Sequence, residues 1–440
     1  MVLMPARVLL RTLTFPIHLP RITLPELMVL MLLVSFHLYG VGVLKFYGLS
    51  IAPWDWAIVV LVFLMASVPV LRTVRIRSSF TPVLFLAFLF TTWMGVSAFF
   101  SPQPDRALTM LLLQVRNLVL LLVIGTLFSN ITSVELLNRK LLWVGTLIAG
   151  LALLMYISAW FRYSEIISSR ELWKPGIGYE LDQGGVLRLI GFAGDPNFYS
   201  LWIALPFFVG FTRRFSLQNL FAVIVIGLSV ALAMSRGFAL AFLISVVLLF
   251  FAQLITRARS MGYIKKLLVG MVIVTIGMVG LYFVASYDLS QFAQRVELVS
   301  KTPRWAMWEQ LCEGLTEKWN AIVGTGLRGT EEALEGGYSH NSYLDVIFET
   351  GLIGFAVWSS IIVYVTIFAL ERTKELQWLP WVHTWLVILV MFGFFSLVYN
   401  PFPWLLAGVL TGAPFKDVNL KKEENCGLRR SPSAGEGIPR

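Results

Sequence analysis

The sequence predicts an all-α integral membrane protein of about twelve transmembrane helices, with both termini cytoplasmic and two long periplasmic loops. Three observations predict it. Hydrophobic residues fill 57% of the 440 positions and charged residues 14%, with mean hydropathy +0.77, whereas a soluble domain needs about a quarter of its residues charged. Apolar runs recur near the roughly 20 residues that a helix needs to cross a bilayer. They are continuous and do not alternate with period two, so helices and not a closed barrel satisfy the backbone in lipid. Lys and Arg then gather in every second connection, which fixes orientation.

The elements follow in order. Segment 1–26 is basic (Arg7, Arg11, Arg21) and precedes the first apolar run. No small-residue cleavage site follows that run, so a retained first helix is expected. Five spans fall within 27–160, at Leu27–Leu44, Trp56–Leu71, Phe80–Phe100, Ala107–Phe128 and Leu141–Trp160. A loop at 161–197 separates them from four more within 198–285: Phe198–Phe211, Leu220–Met234, Gly237–Ile255 and Leu267–Ala285. The second loop occupies 286–341. The last spans, within 342–413, are Tyr343–Leu370, Leu379–Leu397 and a short Trp404–Ala413. The tenth exceeds one crossing, so its first turns stand outside the bilayer. The tail 414–440 is polar, rich in Gly, Pro and Ser, and reads as disordered.

One set of connections carries Arg72, Arg75, Arg77, Arg139, Lys140, Arg213, Arg214, Arg257, Arg259, Lys265, Lys266, Arg372 and Lys374. The alternate short connections hold Lys45, Arg106 and Arg236. The alternation keeps phase through the chain and places both long loops on the extracytoplasmic side. It also accounts for the net charge of +10 without nucleic acid as a partner. Loops this long and without structure of their own are unusual, and functional loops are the usual exception. Cys312 and Cys426 fall on opposite sides and cannot pair. His18, His37, His340 and His383 have no neighbour at metal-ligand spacing, so neither metal nor cofactor is expected.

The candidate chemistry lies on the periplasmic face. Arg236, in the tight Ser235-Arg236-Gly237 connection, defies the orientation trend; it is either a snorkelling arginine or an anion ligand at the membrane surface. Arg304 follows Pro303, which suits a first helical position. Trp305, Trp308, Leu311, Cys312 and Leu315 share one face at helical spacing, as in an amphipathic helix lying on the membrane. Its positive N-terminus and Arg304 suit one anion; the alternative is an arginine packed on Trp308. His340, in Tyr338-Ser339-His340-Asn341, is either structural or a proton acceptor near neutral pH. Asn341 orients His340 or caps the next helix, the commoner role, and Asp195 caps the sixth span in the same way. Arg116 lies inside the fourth span, where a charge faces the bundle interior or a watery cavity; it binds an anionic headgroup or holds helices together. Gly324-Thr325-Gly326-Leu327-Arg328-Gly329 fits a dinucleotide fingerprint but lacks the βαβ unit that the fingerprint requires. Its glycines form a turn or admit backbone to a ligand.

Several of these segments, in this order, resemble the O-antigen ligase and O-antigen polymerase family. They are Gly194-Asp195-Pro196-Asn197, Ser235-Arg236-Gly237, Pro303-Arg304-Trp305 with Trp308, Gly324 and Gly326, His340-Asn341 with Leu344, and Glu349, Gly351 and Gly354. With the span layout, the resemblance runs from the first spans to about Gly354. It implies a metal-independent glycosyltransferase of the bacterial inner membrane whose donor is a glycan on undecaprenyl pyrophosphate. The implied acceptor is the lipid A core, another lipid-linked glycan or a protein hydroxyl. It implies that Arg236 and Arg304 hold the pyrophosphate and that His340 acts at the acceptor hydroxyl. Guanidinium groups suit phosphate oxygens on physical grounds alone. Single displacement with inversion is the expected course. A transporter or flippase is the alternative class, but it places its site near the midplane, often in related halves. Here the notable polar groups gather on one face, and no repeated halves are visible.

Overall fold

A computed structural model describes residues 24–38, 44–46, 49–67, 77–129, 131, 133–163, 166, 178–181, 186–213, 216–255, 303–316, 320–337 and 339–414. The predicted ninth span Leu267–Ala285, Cys426 and the tail beyond 414 lie outside the described residues, as do residues 1–23.

The first helices are α1 (Leu24–His37), α2 (Pro53–Ser67), α3 (Thr81–Phe99), α4 (Pro104–Phe128) and α5 (Val134–Phe161), with a hairpin of β1 (Leu44–Phe46) and β2 (Leu49–Ile51) between α1 and α2. The first predicted loop contains an antiparallel hairpin, β3 (Gly178–Leu181) and β4 (Leu187–Gly191). It leads to α6 (Pro196–Thr212), α7 (Leu217–Ala233) and α8 (Arg236–Ile255). The second loop contains α9 (Pro303–Gly314) and the short turns α10 (Asn320–Val323) and α11 (Gly329–Ala333). The described chain closes with α12 (Ser342–Arg372), α13 (Leu379–Met391) and α14 (Pro401–Gly412). Each predicted span within the described residues overlaps a helix, but the first, expected to run to Leu44, stops with α1 at His37, and Leu44 instead pairs with Ile51 in the hairpin. Helices α3, α4, α5, α8 and α12 are long and apolar enough to cross a membrane.

Caps and ion pairs set the ends. Ser133 Oγ accepts the Leu136 N–H at 3.2 Å, so α5 begins seven residues before the predicted span and absorbs Arg139 and Lys140. Lys140 Nζ pairs with Glu26 at 2.8 Å, and Glu26 is wholly buried. Arg372 ends α12 fully buried; it donates to the carbonyls of Leu410 at 2.7 Å and Ala413 at 2.6 Å. It thereby satisfies orphan carbonyls and complements the negative end of α14. Two residues counted toward orientation are thus also structural.

The core is aromatic where α1, α2, α6 and α14 meet. Phe36, Trp54, Trp202 and Phe402 lie within 5.4 to 6.3 Å of one another in successive ring pairs. Helix α14 is buried at every one of its 12 residues. At 1.5 Å per residue it reaches about 18 Å, short of a roughly 30 Å hydrocarbon layer. Burial in protein is what makes so short an apolar helix tolerable at membrane depth. Gly408 and Gly412, four residues apart, press against α4, where a Cβ on Gly412 would run into the Gly125 backbone. Small residues at this spacing let helices approach closely in lipid.

The predicted eleventh span is too long. Helix α13 stops at Met391, and residues 392–400 turn back although they are apolar. Their backbone serves another helix: Ser342 N–H donates to the Phe392 carbonyl at 2.7 Å and Ser342 Oγ to the Phe395 carbonyl at 2.6 Å. Leu397 N–H returns a bond to Ser342 Oγ at 2.7 Å. Hydropathy does not distinguish an apolar clamp from an apolar helix.

Helix α12 breaks at Gly351, whose φ is 64° and ψ −172°. The carbonyls freed there find partners in other elements. Phe348 accepts from Thr325 N–H at 2.9 Å, and Glu349 from Gly326 N–H at 3.2 Å and Ser97 Oγ at 2.7 Å. Thr350 accepts from Trp93 Nε1 at 2.8 Å. The loop and α3 therefore close the joint in α12.

Candidate functional site

Four polar groups converge where the corner between α7 and α8, the start of α6, the start of α9 and the start of α12 meet. Met234 takes a left-handed φ of 48° to end α7. Ser235 then caps α8 by accepting the Phe238 N–H at 3.2 Å. This leaves Arg236 exposed on the first turn of α8. Two further contacts fix the corner. Ser235 Oγ donates to Asn197 Oδ1 at 2.7 Å, and Arg188 Nε on β4 donates to the Ala233 carbonyl at 3.3 Å. Asp195 Oδ1 caps α6, accepting from Asn197 N–H at 2.7 Å and Phe198 N–H at 3.0 Å, as expected.

Pro303 opens α9 and sets Arg304 on its first turn, half-buried. Burial, and then the neighbouring Arg236 cation, hold the Arg304 pKa below its ordinary value. The expected apolar stripe on α9 is only partly used. Leu311 is buried, whereas Trp305 and Cys312 stay exposed. Trp308 Nε1 donates to the Ser339 carbonyl at 2.8 Å, so this tryptophan fastens α9 to the residue before His340.

His340 itself is half-buried and takes a left-handed φ of 52°, a conformation that costs a non-glycine residue of order 1 kcal/mol. Burial lowers its pKa first; the Arg304 cation lowers it further, and the Asp195 carboxylate acts in the opposite sense. Burial and the Arg304 cation thus favour the neutral imidazole, the form that can accept a proton. Asn341 caps α12: its Oδ1 accepts from Tyr343 N–H at 3.0 Å and Leu344 N–H at 3.2 Å.

The site thus brings together Arg236, Arg304 and His340, with Asp195 facing the histidine. Two guanidinium groups beside a neutral imidazole offer an anion site next to a proton acceptor. Arg116 is engaged elsewhere. It pairs with Asp55 at 3.2 Å and donates to the Tyr399 carbonyl at 2.8 Å and to Asn117 Oδ1 at 3.1 Å. This ties α2, α4 and the segment before α14 together, at one end of an apolar cavity of about 480 Å³ between α2 and α4. Of its two expected roles, these bonds are those of the helix brace. Among the described residues, no group of three His, Cys, Asp or Glu side chains is placed to hold a metal ion.

Sequence reasoning missed Arg188, Ser339 and Asp345. Asp345 carried a signal: a carboxylate in the first turns of an apolar span is costly and asks for a purpose. Arg188 and Ser339 carried none, since a hairpin arginine and a loop serine are ordinary. The glycine fingerprint proves to be a turn that admits backbone to backbone. Gly324 and Gly326 have φ of 86° and 92° and abut the Glu349 and Ser101 main chains.

Residues 221–359 match the family model described as O-antigen ligase. The match contains Arg236, Arg304, His340 and the glycine joint; Arg116, Arg188 and Asp195 precede it, so it is narrower than the motif resemblance. No curated protein matches the chain.

Proposed function

We propose that this multi-pass membrane chain, whose residues 221–359 match the O-antigen ligase model, is a metal-independent glycosyltransferase of the glycan ligase and polymerase type. It moves a glycan from undecaprenyl pyrophosphate to an acceptor hydroxyl at the periplasmic face of the inner membrane. The observation that carries this reading is the convergence of Arg236, Arg304 and His340 at one corner.

The acceptor oxygen attacks the anomeric carbon as the bond from that carbon to the phosphate oxygen breaks. His340 takes the acceptor proton, a role worth about 10²- to 10⁴-fold in rate. The pyrophosphate leaves with the bonding electrons, and Arg236 and Arg304 stabilise the developing charge. Exposure of Arg236 leaves room for the headgroup, while the cation of the half-buried Arg304 acts on the imidazole. Attack opposite the leaving group inverts the anomeric centre; a product that keeps the donor configuration would rule this course out.

The test is deletion of the gene in its host, complemented with wild type or His340→Ala, followed by separation of surface and lipid-linked glycans. Accumulated long lipid-linked chains with loss of the mature conjugate identify a ligase; single repeat units identify a polymerase. His340→Ala is expected to reach the membrane and fail to complement. Full complementation by His340→Ala removes the assignment, and lipid-linked units held on the cytoplasmic leaflet replace transfer with flipping.

A further inference from the structure

Ser339 and Asp345 lie on either side of His340 in sequence and meet in space, and the transfer derived above uses neither. Ser339 is fully buried and Asp345 nearly so. Ser339 Oγ donates to Asp345 Oδ1 at 2.5 Å and accepts the Asn341 N–H at 2.9 Å. The Ser339 carbonyl takes the Trp308 indole N–H, and the Asn341 carbonyl takes the Asp345 N–H at 2.9 Å. Both peptide neighbours of His340 are thus held, while His340 occupies the left-handed region. A non-glycine residue stays there only where its surroundings over-determine it.

The same carboxyl reaches the other half of the site. Ser396 also hydrogen-bonds Asp345. Its neighbour Phe395 packs against Gly237, next to Arg236, and its carbonyl accepts from Ser342 Oγ. One buried carboxyl therefore connects the histidine loop to the arginine corner through two serines.

We propose that Ser339 and Asp345 are the positioning residues for His340, setting the loop geometry from which the imidazole reaches the acceptor and registering it to the Arg236 corner. The proposal rests on His340 acting as the base. A base works only within hydrogen-bond reach of its proton, and misplacement by about 1 Å costs roughly 100-fold.

The test uses full-length protein in lipid nanodiscs and the host's own lipid-linked glycan, extracted from a strain lacking this chain. Ser339→Ala, Asp345→Leu, Asp345→Asn and His340→Ala are compared by kcat, KM for the donor and unfolding temperature. Ser339→Ala and Asp345→Leu are expected to lose about 100-fold in kcat with KM close to wild type, because the arginines are untouched. Asp345→Asn retains an acceptor oxygen for Ser339 and is expected to keep most of the activity. Wild-type kcat in Ser339→Ala overturns the proposal. So does a loss of kcat matched by a rise in KM and a lower unfolding temperature, which is the signature of a fold brace. If Asp345→Leu does not accumulate, Ser339→Ala against Asp345→Asn decides. An active His340→Ala sinks the transfer reading itself, whereas an inactive His340→Ala beside a fully active Ser339→Ala sinks the positioning role alone.

Discussion

His340 sits between opposite charges, and its acid–base behaviour is therefore adjustable from either side. Its pKa lies below the ordinary 6.5, held down by burial and then by Arg304, with Asp195 opposing. The working form of a base is the neutral one, so activity is lost as pH falls through the lowered pKa. The acidic limb of kcat/KM is expected below pH 6.5. Arg304→Gln removes a repelling cation, stabilises imidazolium and moves the limb to higher pH. Asp195→Asn removes an attracting anion and moves it lower. A pH profile of kcat/KM, measured with donor well below KM, checks both signs for each variant, and limbs that stay put in both variants would show that His340 is not the titrating base. The two arginines, the histidine and its cap were legible from the sequence, because a charge or lone histidine in a poor setting stands out. Asp195 was legible only as a cap; its nearness to His340 arises from tertiary packing across more than a hundred residues.

Among the elements, α12 depends most on its neighbours. Its break at Gly351 requires a φ of 64°, and a Cβ there would run into the Ile322 carbonyl. Gly351→Ala therefore carries both backbone strain of about 1 kcal/mol or more and a main-chain clash. It is expected to lower the unfolding temperature in detergent and the activity together. Gly336→Ala is the control: its φ is 91° but its Cβ would meet open space, so only the strain applies and a smaller shift is expected. Equal shifts in the two variants would show that contact at the joint adds nothing. Sequence hydropathy located α12 but not its break, because Gly-rich spacing in a loop and a glycine in a span give no sign that they touch. The same blindness lengthened α13, whose apolar continuation at 392–400 clamps Ser342 and does not extend the helix.

At the scale of the whole molecule, the proposed sidedness rests on charge alternation and is open to a direct check. Cys312 is exposed on α9. In a Cys426→Ser background, a membrane-impermeant maleimide applied to intact spheroplasts is expected to label it. Labelling only after permeabilisation would put the site on the cytoplasmic face. The long apolar helices were legible because the bilayer itself imposes span length, whereas the joints are not so imposed. One such joint bears on chimera design. The loop carrying Arg304 and His340 shares main-chain bonds with Phe348 and Glu349 of α12 and a side-chain bond with Ser101 just beyond α3, and Trp93 and Ser97 of α3 hold the Thr350 and Glu349 carbonyls at the same joint. A loop grafted alone from a relative would arrive without its socket, so the smallest exchangeable cassette for altering acceptor choice includes the 93–101 stretch and the chain through Gly354.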